Sequence, residues 1–149
     1  GLNSGGEEIA LYSTDGILVD SLSFGSQDGD ISQGRWPDGQ PETYFMGSPT
    51  PGDTNIAATL VVTSPYGDPT PPRGTNAYDY NSQIVCSLAG SPYVVSNDYH
   101  VCAGWTGSGS VPTSGTAKTV SINLNVPSAI DWEWSTYDAS TIGTTFIVR

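Results

Sequence analysis

The feature that most limits the fold is a strict alternation in the middle of the chain. Between Tyr99 and Trp105 every second residue is apolar, and this period of two is typical of a β-strand with one buried face. The alternation predicts that Tyr99, Val101, Ala103 and Trp105 share the core-facing side of the strand. It also predicts that His100, on the other side, is a surface residue.

The two cysteines of the chain belong to this region. Cys102 lies in the alternating strand, and Cys86 lies in a second strand-like run, residues 83–88. We expect the two to form a disulfide within one sheet, which the loop-entropy model values at roughly 3 kcal/mol. The alternative is a pair of buried free thiols. A disulfide would indicate an extracellular or cell-surface protein, because cytosolic thiols stay reduced.

Acidic residues dominate a chain that is otherwise rich in small polar residues. Fifteen acids and four bases give the 149 residues a formal charge of −11, which disfavours binding to nucleic acids and to anionic membranes. Good helix formers are scarce, and β-branched and aromatic residues recur in short runs, so we expect an all-β fold class. No apolar run approaches the ~20 residues that cross a bilayer as a helix.

The chain divides into two segments with different patterns. Residues 1–56 contain two strand-like runs joined by an Asp15-Gly16 turn, a strong hairpin signal, and they end in a rigid stretch rich in proline. Residues 57–149 contain the cysteine strands and several further alternating runs. The linkage falls between Asn55 and Ala58. We therefore predict two small β modules, at 1–56 and 57–149.

The first segment contains five short motifs in a fixed order: Gly-Glu-x-Ile-x-Leu, Asp-Gly, Val-Asp, Ser-x-Gly-Arg-x-Pro-Asp-Gly and Pro-Thr-Pro-Gly-x-x-Asn. They comprise Gly6, Glu7, Ile9, Leu11, Asp15, Gly16, Val19, Asp20, Ser32, Gly34, Arg35, Pro37, Asp38, Gly39, Pro49, Thr50, Pro51, Gly52 and Asn55. On these residues the segment resembles the second half of a bacterial lamin-tail domain. The resemblance implies an immunoglobulin-like β-sandwich, whose opening strands this sequence does not contain.

The second segment has its own resemblance. Over residues 60–137 it is similar to divergent internalin-B-type bacterial repeats, which have a strand with Thr-Ser-x-x-Gly, a Tyr-x-x-Gly/Asn turn, a Gly-Trp-x-Gly core strand and a closing strand of alternating aromatics. The residues that fall on this pattern are Gly67, Tyr80, Gly104, Trp105, Gly107 and Trp132. Such repeats occur in surface and extracellular proteins, so the resemblance implies that location.

Few residues suit catalysis or metal binding. His100 is the only histidine, and no G-x-S-x-G motif supplies a nucleophile, so we expect a protein that is not an enzyme. Asp28 and Asp30 place two carboxylates on either side of a glycine, and oxygen ligands of this kind suit calcium. The alternative is that this loop is purely structural.

Three further side chains are candidate ligand contacts. Arg35 is expected to form a bidentate pair with a carboxylate, Asp30 or Asp38 on either side of it, and a ligand contact is the alternative. Trp36 lies in the same turn and could contact a ligand. Trp134 shares a strand face with Trp132, which would suit a sugar-binding surface, although alternating aromatics are also typical of a sandwich core.

Incomplete strand pairing is the expectation most closely tied to function. The first segment has too few apolar residues to form a core alone. We expect it to be completed by strand addition from a neighbouring chain. The candidate acceptor is the 8–12 strand, with Ile9 and Leu11, or the 17–24 strand. The candidate donor comprises Phe146, Ile147 and Val148.

These observations predict a non-catalytic structural or adhesive module of an extracellular bacterial surface protein. It would function as a fragment of a longer protein or as a subunit of a self-assembling filament, with copies of itself or the rest of that protein as partners. The alternative is a carbohydrate-binding module of a secreted enzyme, with a glycan as ligand.

Overall fold

The computed structural model describes residues 3–138. The chain divides into two compact units, Gly1–Ile56 and Ala57–Arg149. Every regular element within the described range is a β-strand, so the predicted all-β class is confirmed. Within that range no helix is long and apolar enough to cross a membrane.

The first unit consists of two antiparallel ribbons. The strands are β1 (Glu7–Tyr12), β2 (Leu18–Phe24), β3 (Ser32–Arg35) and β4 (Thr43–Met46). β1 pairs with β2, and β3 pairs with β4. The β1–β2 turn is closed by a hydrogen bond that the Ser13 N–H donates to the Ile17 carbonyl at 2.8 Å, and Gly16 supplies the positive φ of 76° that this turn needs. Met46, 1% exposed, is the one large side chain of residues 3–56 that is fully buried.

The second unit contains two packed sheets. Its strands are β5 (Ala58–Thr63), β6 (Asp68–Thr70), β7 (Gly74–Tyr78), β8 (Ser82–Ala89), β9 (Tyr93–Val95), β10 (Asp98–Ser108), β11 (Ser114–Gly115), β12 (Thr119–Leu124) and β13 (Ser128–Asp138). The larger sheet has the order β11-β10-β13-β5-β7, and β9 also pairs with β10. The smaller sheet has the order β12-β8-β6. The β13–β5 pairing is parallel and the others are antiparallel.

A single apolar core lies between these two sheets. Each sheet directs alternate residues inward, as half-buried strands do, which gives a β-sandwich. The core residues are Ala58, Leu60, Val62, Ile84, Cys86, Leu88, Cys102, Trp105, Val111, Ile122, Leu124, Ile130 and Trp132. The second unit therefore has a core of buried large apolar residues, whereas the first unit leaves most of its large apolar residues exposed or half-buried.

A β-bulge interrupts β10 and changes which residues face this core. Cys102 pairs with Trp134 on β13, but Gly104 pairs with the next residue, Glu133, so Ala103 is an extra residue in the ladder. Gly104 has a φ of 140°, a conformation that residues with a side chain rarely adopt. The bulge shifts the alternation by one position, so that Trp105 faces the core.

The bulge corrects the predicted faces of this strand. Trp105 is buried as predicted, at 5% exposure. Tyr99 and Ala103 are exposed and Val101 is only half-buried, so their assignment to the core is wrong. His100 is 5% exposed, and its assignment to the surface is also wrong. Before the bulge, the residues of even number face inward.

The predicted disulfide is not formed, because Cys86 and Cys102 are both free, buried thiols. The two residues also do not share a sheet. Cys86 lies on β8 in the smaller sheet and Cys102 on β10 in the larger one, so each enters the core from its own side. The apolar surroundings favour the neutral thiol, and burial raises the pKa of Cys86.

Candidate assembly surface of the first unit

The β1–β2 hairpin exposes most of its large apolar side chains. Their exposures lie between 44% and 66%, and the residues are Ile9, Leu11, Tyr12, Ile17, Leu18 and Val19. Ile9 and Leu11 were predicted as acceptor residues for an added strand, and both are at this surface. Scattered apolar residues are normal on protein surfaces, but these six all fall within residues 9–19 of one hairpin, which makes the hairpin a candidate interaction site.

The hairpin is a sheet of only two strands within residues 3–138. A two-stranded hairpin is marginally stable in water unless other strands or a packed layer support it. The outer edges of an incomplete sheet present backbone N–H and C=O groups that can pair with another strand. Exposed apolar residues and incomplete pairing therefore occur together on one element.

One face of the hairpin borders a groove of about 340 Å³. Cross-strand pairing places Ile9 beside Leu22 and Glu7 beside Phe24 on this face. The groove is lined by Ile9, Leu22, Phe24, Asn3, Ser4, Gln27 and Gln33. The Gln27 side-chain amide donates a hydrogen bond to the side-chain oxygen Oε1 of Gln33 at 2.9 Å, so polar groups border an apolar floor.

Arg35 joins the second ribbon to the hairpin. Its guanidinium donates to the two carboxylate oxygens of Asp20 at 2.6 and 2.8 Å and to the Ser21 carbonyl oxygen at 2.9 Å. The expected bidentate pair therefore forms, but with Asp20 rather than with Asp30 or Asp38. A bidentate pair of this kind fixes the relative orientation of the two side chains and is stronger than a single hydrogen bond. Arg35 therefore has a structural role here.

Asn55 extends this network from the end of the unit. Its side-chain amide donates to the Arg35 carbonyl at 2.9 Å, and its backbone N–H donates to the Asp38 carboxylate at 3.2 Å. The Thr50 hydroxyl donates to the Asn55 side-chain oxygen at 3.1 Å. At Gly34 a Cβ would lie 2.9 Å from the Asn55 amide nitrogen, so a larger residue there would displace the Asn55 side chain from its position. One hydrogen-bonded network thus joins Asn55 to four other motif residues, Asp20, Arg35, Asp38 and Thr50.

Removing the guanidinium is expected to raise the pKa of Asp20. Its hydrogen bonds with Arg35 hold that pKa below the usual range. The lowered pKa means that the Asp20 interaction stabilises the fold at neutral pH and is lost as pH falls through the folded-state pKa. In Arg35→Gln we expect carboxyl ¹³C NMR titration to show a higher pKa for Asp20 than in the unchanged chain, because the guanidinium that lowers it is gone. Arg73→Gln, in the second unit, is the control and should leave the Asp20 titration unchanged. The same Asp20 titration in both variants would contradict this account.

The candidate ligand-contact tryptophans are engaged within their own units. Trp36 is half-buried in the first unit, with its ring edge-on to Tyr44 at 6.5 Å. Trp134 is half-buried in the second unit, and its indole N–H donates to the Ser64 hydroxyl at 3.0 Å. Trp132, 1% exposed, belongs to the core, as the core interpretation of this strand predicts.

His100 lies in an aromatic cluster that no sequence motif predicts. Its ring stacks on Tyr66 at 3.8 Å with 13° between the planes, and Tyr66 also stacks on Tyr93 at 5.6 Å. The imidazole Nδ1 lies 2.9 Å from the Thr136 hydroxyl oxygen. Tyr66 lies between β5 and β6 and Thr136 lies on β13, 34 and 36 residues from His100 in sequence, so no local pattern could have indicated these two partners.

The proposed calcium ligands lie on an exposed turn of the first unit. Asp28 and Asp30 are both exposed, and Asp30 has a positive φ of 61°. Calcium takes six to eight oxygen ligands. Among the residues that the structure describes, no three His, Cys, Asp or Glu side chains are grouped for a metal ion, so these two carboxylates have no third such ligand beside them.

The candidate donor residues Phe146, Ile147 and Val148 lie outside the described residues. Of the strands predicted to take part in strand addition, the structure describes the candidate acceptors, β1 and β2. No family model, curated protein or solved structure matches this chain.

Proposed function

We propose that the chain is a non-catalytic structural or adhesive module of an extracellular bacterial surface protein, and that it binds other protein chains through the β1–β2 hairpin. The observation that carries the proposal is the group of six exposed apolar residues on a hairpin whose sheet has only two strands within residues 3–138. The resemblances of the two segments to a lamin-tail domain and to internalin-type repeats support a surface location.

Strand addition accounts for both unusual properties of the hairpin. An added strand satisfies the open backbone groups and covers the neighbouring apolar side chains in the same step. Fully burying one large aliphatic side chain contributes about 1.5–3 kcal/mol, so covering several of them supplies a substantial driving force. This function needs no catalytic residue, ligand or metal.

The partner chain determines what is built. If it is a second copy, a strand passed from one copy to the next makes a head-to-tail contact, and such contacts extend into a filament unless the ring closes. If it is the rest of a longer surface protein, the hairpin becomes an internal part of that protein. The carbohydrate-binding alternative has less support, because the indole N–H of Trp134 is bound to Ser64 and Trp36 packs on Tyr44.

Polar substitutions in the hairpin are expected to reduce association of the full chain. In Leu11→Ser/Val19→Ser the added strand would cover less apolar surface, so sedimentation velocity over a range of protein concentrations should show fewer oligomers than for the unchanged chain. Val85→Ser is the matched control, because Val85 is 52% exposed on the second unit, and it should associate like the unchanged chain. A chain that stays monomeric at every concentration would exclude a second copy as the partner, and a hairpin that also binds no extended peptide would overturn the proposal.

A further inference from the structure

The two outer edges of the β1–β2 hairpin are not equivalent. Arg35 donates a hydrogen bond to the Ser21 carbonyl, and Ser21 pairs with Ala10 on β1. In an antiparallel ladder, paired residues either bond to each other or direct their backbone groups outward. Because the Ser21 carbonyl bonds to a side chain outside the ladder, this pair is of the outward type. Arg35 therefore occupies the outer edge of β2.

The outer edge of β1 is the one that can accept a strand. If the backbone groups of Ala10 point outward, those of Glu8 and Tyr12, two residues away on either side, point outward as well. Among residues 3–138 no strand pairs with this edge. An incoming strand would therefore bond to Glu8, Ala10 and Tyr12.

The charge of the first unit indicates which strand fits. Residues 1–56 contain nine acidic residues and one arginine, a formal charge of −8, and that arginine is paired with Asp20. Along β1 the acids are at the beginning, Glu7 and Glu8, and the apolar residues follow, from Ile9 to Tyr12. Opposite charges facing each other across strands stabilise a sheet, and like charges destabilise it.

We propose that β1 is the acceptor edge and binds, in the antiparallel orientation that gives the more stable ladder, an extended segment of another protein chain that is apolar at its start and cationic at its end. The apolar part would lie beside residues 9–12, and the cations would lie beside Glu7 and Glu8. This inference rests on the proposed function, and it specifies the edge, the direction and the chemistry of the partner.

A designed peptide tests the inference with the full chain. The probe is acetyl-Thr-Val-Phe-Val-Lys-Arg-amide, and the comparison peptide has two glutamates in place of Lys-Arg. Backbone amide NMR shifts should move at Glu8, Ala10 and Tyr12 with the basic peptide, and the acidic peptide should bind roughly tenfold more weakly or worse, because two cross-strand charge pairs change sign. The Glu7→Gln/Glu8→Gln variant should lose most of this discrimination, whereas Glu42→Gln/Asp53→Asn, with two exposed acids of the same unit outside the hairpin, should keep it.

Proline substitutions on each edge identify the strand that binds. Ala10→Pro removes an N–H that faces outward on β1 and should abolish peptide binding while the β1–β2 ladder persists. Ser23→Pro is the matched change on β2, because Ser23 pairs with Glu8 and its backbone also faces outward, and it should leave binding unchanged. Amide spectra of both variants show whether the hairpin still folds.

The outcomes separate the inference from the function on which it rests. Shifts on β2, or equal binding of the acidic and basic peptides, would overturn the inference while strand addition itself stands. If neither peptide perturbs the hairpin and the chain stays monomeric, both the inference and the proposed function are wrong.

Discussion

Replacing Trp105 by alanine is expected to lower the free energy of unfolding of the second unit by about 3–5 kcal/mol. Trp105 is 5% exposed and lies directly opposite Trp132, 1% exposed, on β13. Its ring also fills the space beside Gly115, where a Cβ would come within 2.4 Å of it. The truncated side chain would leave a cavity between closely packed neighbours, which protein interiors fill only partly.

Urea unfolding followed by circular dichroism checks this value without depending on tryptophan fluorescence. Tyr99→Ala is the matched control, because Tyr99 is on the same strand but is 42% exposed. It should change the free energy of unfolding by no more than about 0.5 kcal/mol, as surface substitutions usually do. Trp36→Ala lies in the first unit and should leave the transition of the second unit unchanged. Equal losses for Trp105→Ala and Tyr99→Ala would show that the strand faces are assigned wrongly.

The sequence was sufficient to predict the strand around Trp105 but not the full set of its buried residues. A period of two identifies a half-buried strand, but it assumes that no residue is added to the ladder. Ala103 is such an addition. The available signal was Gly104, because a glycine inside a strand pattern often marks a bulge. A bulge at Gly104 predicts that the inward-facing residues before it are those of even number, as the structure shows.

Partners distant in sequence were harder to predict than local structure. Cys86 and Cys102 each lie on a predicted strand, but strand patterns do not say which sheet a strand joins, and the two thiols come from different sheets. Arg35 was expected to pair with a neighbouring acid, yet it reaches Asp20, fifteen residues away. Both errors concern pairing between elements rather than the elements themselves.

The first unit shows another limit of patterns. Alternation at Ile9 and Leu11 correctly indicates a strand, and in most proteins it would also indicate which residues are buried. In the structure both are exposed, because a pattern identifies an apolar face without specifying what covers it. The exposed hairpin is therefore a finding of the structure, and the strand-addition proposal depends on it.

Gly104→Ala is expected to destabilise the second unit by about 2–5 kcal/mol, through strain at a φ that L residues avoid and through overpacking. Gly104 has a φ of 140°, and a Cβ there would lie 2.2 Å from the Gly115 carbonyl oxygen and 3.0 Å from the Thr116 Cα. Both contacts are with backbone, so no side chain can move to make room. The strand would have to leave the bulge or move away from β11.

The adjacent residue provides the control for this prediction. Ala103 is the extra residue of the bulge and is exposed, so Ala103→Ser should change the free energy of unfolding by no more than about 0.5 kcal/mol. Urea unfolding gives both values, and the indole N–H resonance of Trp105 should shift in Gly104→Ala only, because that side chain depends on the bulge for its direction. If Gly104→Ala were as stable as Ala103→Ser and left the Trp105 resonance in place, the bulge could not be what turns Trp105 into the core.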